Sequence, residues 1–168
     1  MVTGPVNIDL PDCCRIIRVE TAVEMQEAVL NSGEYDIAIF VAAVGDWRVK
    51  SISAGKIKKI EGTKPPDLDL IENPDILKAV CSLQNRPELI IGFAAETDDV
   101  VANATAKRLR KACDWIVAND VSPGTSIMGG SENAITLITE AGAESWPRLP
   151  KTEVAQRLAQ RIVDMLRG

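Results

Sequence analysis

The chain is punctuated by apolar runs with no polar alternation. Ile37-Ala38-Ile39-Phe40-Val41 is the first, within a strand expected from about Asp36 to Val41. A run of this kind suits a strand buried on both faces of a parallel sheet. Glu88-Leu89-Ile90-Ile91-Gly92-Phe93 reads as another buried strand, leaving through Ala94-Ala95-Glu96-Thr97. Trp115-Ile116-Val117-Ala118 reads as a further one, ending at Asn119-Asp120. Parallel neighbours need long crossovers, and the intervening stretches carry helix signals. Thr21 caps an expected helix from Ala22 to about Asn31, ended by Ser32-Gly33; another is expected from about Asp99 to Ala112. Strands alternating with helices predict a doubly wound, mostly parallel Rossmann-like α/β sheet with helices on both faces.

The remaining elements are shorter. The first fourteen residues, with Gly4-Pro5, Pro11 and Cys13-Cys14, read as an entering loop, and Arg15 to Val19 as a short strand. Asp67-Leu68-Asp69-Leu70-Ile71 alternates like a strand. Asn73-Pro74-Asp75 then opens a helix to about Leu83, with Asn73 as N-cap and Pro74 in the first helical position. Pro123 to Gly130 reads as a flexible glycine-rich loop. Ala134–Ile138 and the region of Glu144-Ser145-Trp146 suit a late hairpin turning through Ala141-Gly142, and Lys151 to Leu166 an amphipathic helix.

Composition narrows the function classes. A chain of 168 residues with 46% hydrophobic and 26% charged residues is long enough to bury a core. A net charge of -5 argues against nonspecific binding to nucleic acid or to an anionic membrane surface. No run reaches membrane-spanning length and no basic-then-apolar leader occurs. The cysteines Cys13, Cys14, Cys81 and Cys113 include no C-x-x-C pair, which fits reduced thiols in the cytoplasm. The absence of histidine excludes Ser-His-Asp and Cys-His catalysis and histidine metal sites within these residues. Neither G-x-G-x-x-G nor G-x-x-x-x-G-K-[ST] is present, so the familiar phosphate-cradling loops are missing.

Ligands of doubly wound sheets sit outside the carboxyl ends of the strands. Three segments fall there: Ala42 to Asp46, Gly92 to Thr97 and Asn119-Asp120. A carboxylate at Asp46 suits a metal ion or a ribose hydroxyl, or only a turn. Lys56, Lys58 and Lys59 follow soon after; spacing alone favours a solvated edge. Lys107 and Lys111 share one helix face. Asn73-Pro74-Asp75 marks a helix start whose free N–H groups suit a polar ligand, and Phe93 suits a base or the core.

Taken in order, the segments Gly4-Pro5-Val6, Ala42-Ala43-Val44-Gly45-Asp46-Trp47-Arg48, Lys56-Ile57-Lys58-Lys59, Asn73-Pro74-Asp75-Ile76, Gly92 to Thr97, Lys107 to Lys111 and Ala118-Asn119-Asp120-Val121 resemble bacterial phosphopantothenate–cysteine ligase. This is the synthetase half of the bifunctional coenzyme A biosynthesis flavoprotein. The resemblance implies CTP-dependent activation of 4′-phosphopantothenate to an acyl-cytidylate, release of pyrophosphate, and attack by L-cysteine with loss of CMP. It implies a CTP site of Ala42, Ala43, Asp46, Lys56, Asn73, Pro74, Asp75, Ile76, Phe93, Lys107 and Lys111, with Lys56 also serving the step from acyl-cytidylate to product. It further implies Mg²⁺ with the CTP, no flavin in this domain, and a homodimer. Residues 1–168 correspond to a single synthetase domain lacking its first βα unit, since the family's N-x-S-S-G-K-M-G segment has no match here. The expectation is therefore a retained nucleotide pocket with weak or no complete ligation by this chain alone; the alternative is a nucleotide-binding or interaction module without turnover.

Overall fold

A computed structural model describes residues 1–51, 55, 56, 58, 67–122 and 130–167. Residues 123–129 of the loop expected from Pro123 to Gly130, and the positions Ile57 and Lys59, lie outside the described residues. The contacts group the chain into two units, Met1–Gly33 with Ala42–Ile76, and Glu34–Val41 with Leu77–Gly168.

The second unit holds the main sheet. In chain order the strands are β1 (Val2–Thr3), β2 (Ile17–Arg18), β3 (Ile37–Phe40), β4 (Trp47–Val49), β5 (Leu70–Glu72), β6 (Leu89–Glu96), β7 (Trp115–Asp120), β8 (Glu132–Asn133), β9 (Ile135–Thr139), β10 (Gly142–Ser145) and β11 (Leu149–Pro150). The helices are α1 (Ala22–Leu30), α2 (Ile76–Cys81), α3 (Val100–Lys111) and α4 (Lys151–Arg167). The five-stranded sheet has the order β10-β9-β7-β6-β3, with β3, β6 and β7 parallel and β9 and β10 antiparallel. The fold is mixed α/β, as the apolar runs imply.

Alternation along the strands separates two faces. Leu89, Ile91, Trp115, Val117, Ile135 and Leu137 join Val154, Leu158 and Ile162 of α4 in one buried cluster. The even-numbered residues face the other way. A Cβ on Gly92 would come within 2.8 Å of Leu77 Cδ2 and 2.9 Å of Ile116 Cδ1, so only glycine fits there without repacking. Ile90, Ile116 and Ala118 are fully buried, as is Ala104 of α3. α4 is fastened near its middle: Trp146 donates Nε1–H to Glu144 Oε1 at 2.9 Å and lies under Arg157, whose guanidinium is 4.6 Å from the ring centroid. Glu144 also takes Arg157 and Arg161 at 3.2 and 3.3 Å.

The first unit is built differently. β1 pairs with β2 in parallel, so the opening residues are not wholly a loop; Ile17 N–H donates to Met1 O at 2.9 Å and Val19 N–H to Thr3 O at 3.0 Å. Helix α1 has the expected Thr21 cap, with a complete capping box between Thr21 and Glu24, yet none of its residues is buried. β4 and β5 form an antiparallel ribbon, pairing Trp47 with Glu72 and Val49 with Leu70.

Several boundaries differ from expectation. β6 continues through Ala94, Ala95 and Glu96, because this stretch pairs with β7 as far as Glu96 opposite Asp120. Helix α2 begins at Ile76, after Pro74 and Asp75. Asn73 does not cap it: its amide is taken up elsewhere, as follows.

Candidate functional site

In the first unit, Asn73 follows directly on β5 and fastens the segment after β3. Its side-chain Nδ2 donates to Gly45 O at 2.8 Å and Trp47 O at 3.3 Å, while its backbone N–H donates to Asp46 O at 2.8 Å. Arg48 donates Nη1–H to Asn73 Oδ1 at 3.3 Å and to Glu72 O. The two carbonyls can only accept and the guanidinium can only donate, so the neighbours fix which end of the Asn73 amide points where. Two segments that stand apart in sequence, Gly45-Asp46-Trp47 and Asn73, are thereby one hydrogen-bonded unit.

That clamp leaves the small residues before it open. Ala42 and Ala43 are exposed, with Val44 N–H returning to Ala42 O at 3.1 Å, and the Asp46 side chain is exposed beyond them. Short side chains allow a ligand to approach the backbone, and Asp46 adds a carboxylate at a position held by its own carbonyl. Lys56 and Lys58 are exposed. Pro74 is half-buried, Asp75 exposed and Ile76 buried.

In the second unit the remaining expected residues sit on β6 and on α3, the helix between β6 and β7. Phe93 is half-buried and packs on the core cluster, on the face shared with α4. Lys107 and Lys111 both lie on α3, four residues apart and each half-buried. Lys107 Nζ is 4.0 Å from Glu96 Oε1, at the last residue of β6. Glu96 is a residue that sequence reasoning gave no role; the extension of β6 by three residues, Ala94 to Glu96, is what brings it beside Lys107. Its register partner Asp120 accepts from Ser122 N–H at 2.9 Å and Ser122 Oγ–H at 2.6 Å. Those donors favour the charged form and hold the Asp120 carboxyl below its ordinary value. Beside it, Asn119 Oδ1 accepts from Asn133 Nδ2 at 2.8 Å, a pairing that links β7 to β8 and that no motif announces.

Among the described residues no group of three or more histidine, cysteine, aspartate or glutamate side chains could hold a metal ion. The donor set therefore offers lone carboxylates and ammonium groups. Mg²⁺ needs few protein ligands when it travels on a polyphosphate, so a lone carboxylate fits a cation brought in by a nucleotide rather than one resident in a cage.

A partly parallel α/β sheet flanked by helices is the class of fold whose ligands gather beyond the carboxyl ends of the strands. The chain belongs to the family described as DNA/pantothenate metabolism flavoprotein C-terminal domain, whose profile matches residues 1–166. It is 36% identical over 168 residues to the coenzyme A biosynthesis bifunctional protein CoaBC of Vibrio cholerae serotype O1, covering 99% of this chain and 42% of that protein. Against CoaBC of Escherichia coli K12 it is 37% identical over 166 residues, covering 97% of this chain and 41% of the relative. The chain thus spans about two fifths of the length of these relatives. A crystal structure of the C-terminal domain of CoaBC superposes with a TM-score of 0.77 at 31% identity, over 99% of this chain and 73% of that one. The DNA/pantothenate metabolism flavoprotein from Streptococcus pneumoniae shares the fold, with a TM-score of 0.70 at 20% identity. No described helix is long and apolar enough to cross a membrane.

Proposed function

We propose that this domain carries out the phosphopantothenate–cysteine ligase step of coenzyme A biosynthesis, using CTP. Family membership supports the reaction class, and the clamp of Asn73 on Gly45, Asp46 and Trp47 is the observation that carries the nucleotide site. A site for a triphosphate needs backbone held rigid where it meets the ligand, and rigid positioning is worth most when it exists before binding.

In this reading Ala42, Ala43, Asp46 and the segment Asn73 to Ile76 seat the nucleotide. Phe93 offers its ring to the base, and Lys107 and Lys111 lie against the phosphates. A carboxylate oxygen of 4′-phosphopantothenate attacks the α-phosphorus of CTP and pyrophosphate leaves. The amine of L-cysteine then attacks the acyl carbon, loses a proton, and CMP departs. Negative charge grows on both leaving groups, and ammonium groups stabilise it without any histidine. Lys56 serves the second step. Mg²⁺ bound with the CTP would supply charge screening of the triphosphate, and no flavin is expected in this domain. The enzyme works as a cytoplasmic homodimer in this reading, with neither nucleic acid nor membrane as partner.

Pyrophosphate release separates this reading from a nucleotide-binding module without turnover. Release that requires both CTP and 4′-phosphopantothenate supports the ligase. Saturable CTP binding with no release supports the module, and failure to bind CTP at all contradicts both.

A further inference from the structure

Glu96 is a carboxylate to which the proposed reaction gives no role. It ends β6, and its backbone is held by the sheet: it stands opposite Asp120 of β7, and Val121 N–H donates to Glu96 O at 2.9 Å. Alternation along β6 puts Glu96 on the even-numbered face with Gly92, the face on which α3 buries Ala104. Lys107 lies three residues beyond Ala104 on the same side of α3, and its Nζ is 4.0 Å from Glu96 Oε1. The two side chains are 28% and 20% exposed, so solvent screens this pair less than an ordinary surface pair. Among the described residues no other carboxylate is within ion-pair distance of Lys107. Asp120, the neighbour across the ladder, is bonded to Ser122 N–H and Oγ–H.

By charge alone, Glu96 works against a triphosphate site. A carboxylate this near repels the phosphates and offsets part of the positive charge of Lys107. Its compensating effect is orientation. A lysine ammonium ends a flexible four-carbon stem, whose freedom is lost when it grips a ligand. It also carries three N–H donors and no acceptor. One N–H directed toward Glu96 leaves two for phosphate oxygens, so Lys107 can face Glu96 and the nucleotide together.

We propose that Glu96 is a positioning residue for the CTP site, holding the Lys107 ammonium in its receiving orientation before the nucleotide binds. The inference rests on the ligase reading, in which Lys107 lies against the phosphates. The carboxylate hangs from the last rung of the β6–β7 ladder and not from a loop, which gives the orientation a rigid base. The alternative is a staple that only ties α3 to β6.

A double-mutant cycle on the 168-residue chain, with CTP affinity read by calorimetry, separates the two. With Lys107 present, Glu96→Gln should weaken CTP binding about fivefold. With Lys107→Met in place, Glu96 is an unpaired carboxylate facing the phosphates, and adding Glu96→Gln should strengthen binding about twofold. A staple cannot reverse the sign in this way, because loosening α3 harms binding in either background. Glu96→Asp is the second variant: it keeps the charge and loses the reach, so it should weaken binding with Lys107 present and change nothing with Lys107→Met. Without nucleotide, carbon-13 relaxation at Lys107 Cε should report a more mobile side chain in Glu96→Gln than in the parent. CTP binding that Glu96→Gln leaves unchanged or improves with Lys107 present, binding weakened in both backgrounds, or unaltered Lys107 relaxation would each overturn this inference and leave the ligase reading standing. A parent chain that binds no CTP would overturn both.

Discussion

The two units are held together by different means. In Glu34–Val41 with Leu77–Gly168, the central strands β6, β7 and β9 are sealed: Ile90, Ile91, Ile116, Val117 and Leu137 have no exposed surface beyond a trace. In Met1–Gly33 with Ala42–Ile76, Ile76 is the only described apolar residue that is buried. There the order comes from polar and backbone fastenings: Asn73 on the Gly45–Trp47 carbonyls, Arg48 on Glu72 and Asn73, and the Thr21 capping box. Apolar burial contributes stability roughly in proportion to area, while each hydrogen bond contributes on the order of 1 kcal/mol net. The contrast suggests a division of labour, in which one unit supplies stability and the other presents a specifically shaped, open surface.

The largest expected effect lies in the sealed unit. Ile116→Ala removes a fully buried side chain between Gly92 and α3 and should cost about 2–5 kcal/mol in urea unfolding. Gly92→Ala is the reverse insult, since its Cβ would meet Leu77 and Ile116 below 3 Å; about 1–3 kcal/mol of overpacking is expected. Equal stability of either variant and the parent would break the claim that this unit carries the fold. In the open unit the effects should be smaller. Thr21→Ala removes the cap of α1 and should cost about 1 kcal/mol, and a loss as large as that for Ile116→Ala would contradict the contrast.

The smallest effect should be local and electrostatic. The Ser122 donors keep the Asp120 carboxyl ionised to lower pH than usual. A depressed carboxyl stabilises the native state above its ordinary range near about 3.9, and that contribution fades as pH falls through the native value. Ser122→Ala should therefore move the Asp120 titration midpoint upward in a carboxyl-resolved NMR titration, with little change in melting temperature at neutral pH. A midpoint that stays in place would show that the serine donors are not the cause.

The same contrast explains what was legible in the sequence. Strands β6 and β7 announce themselves because burial on both faces forces unbroken apolar runs, and α1, α3 and α4 because caps and periodicity are local signals. β3 carries such a run too, yet of its residues only Ala38 is buried and Ile39 is 47% exposed, so the expected burial on both faces does not hold there. The late hairpin is also where Ala141-Gly142 suggests, with Gly142 at a φ of 128° that favours glycine. The open unit resists such reading. β1 has two residues and exists through pairing with Ile17-Arg18, a partner that local sequence does not reveal. β4 has three residues, with Trp47 and Val49 exposed, so no burial pattern marks it. Asn73 before Pro74 carries a fair helix-start signal, yet tertiary hydrogen bonds to Gly45 and Trp47 outcompete the cap. Among the site residues, Lys107 and Lys111 sit together on α3 as their spacing implies, whereas the Glu96 partner depends on how far β6 runs.

The site assignments sharpen the comparison when stability and chemistry are measured on the same variants. Lys56→Ala, at an exposed position, should leave unfolding within about 0.5 kcal/mol of the parent while lowering conversion of the acyl-cytidylate to product. Asn73→Ala should do both kinds of harm, loosening Gly45 to Trp47 and weakening CTP binding tenfold or more.

In the proposed function the open unit, fastened by Asn73, would be the CTP end of a ligase. The most direct measurement is pyrophosphate release from CTP by the 168-residue chain, with and without 4′-phosphopantothenate, alongside Asn73→Ala. The account predicts release that depends on both substrates and falls at least tenfold in the variant. CTP binding and release that are indifferent to Asn73, or a chain that binds no CTP at all, would contradict it.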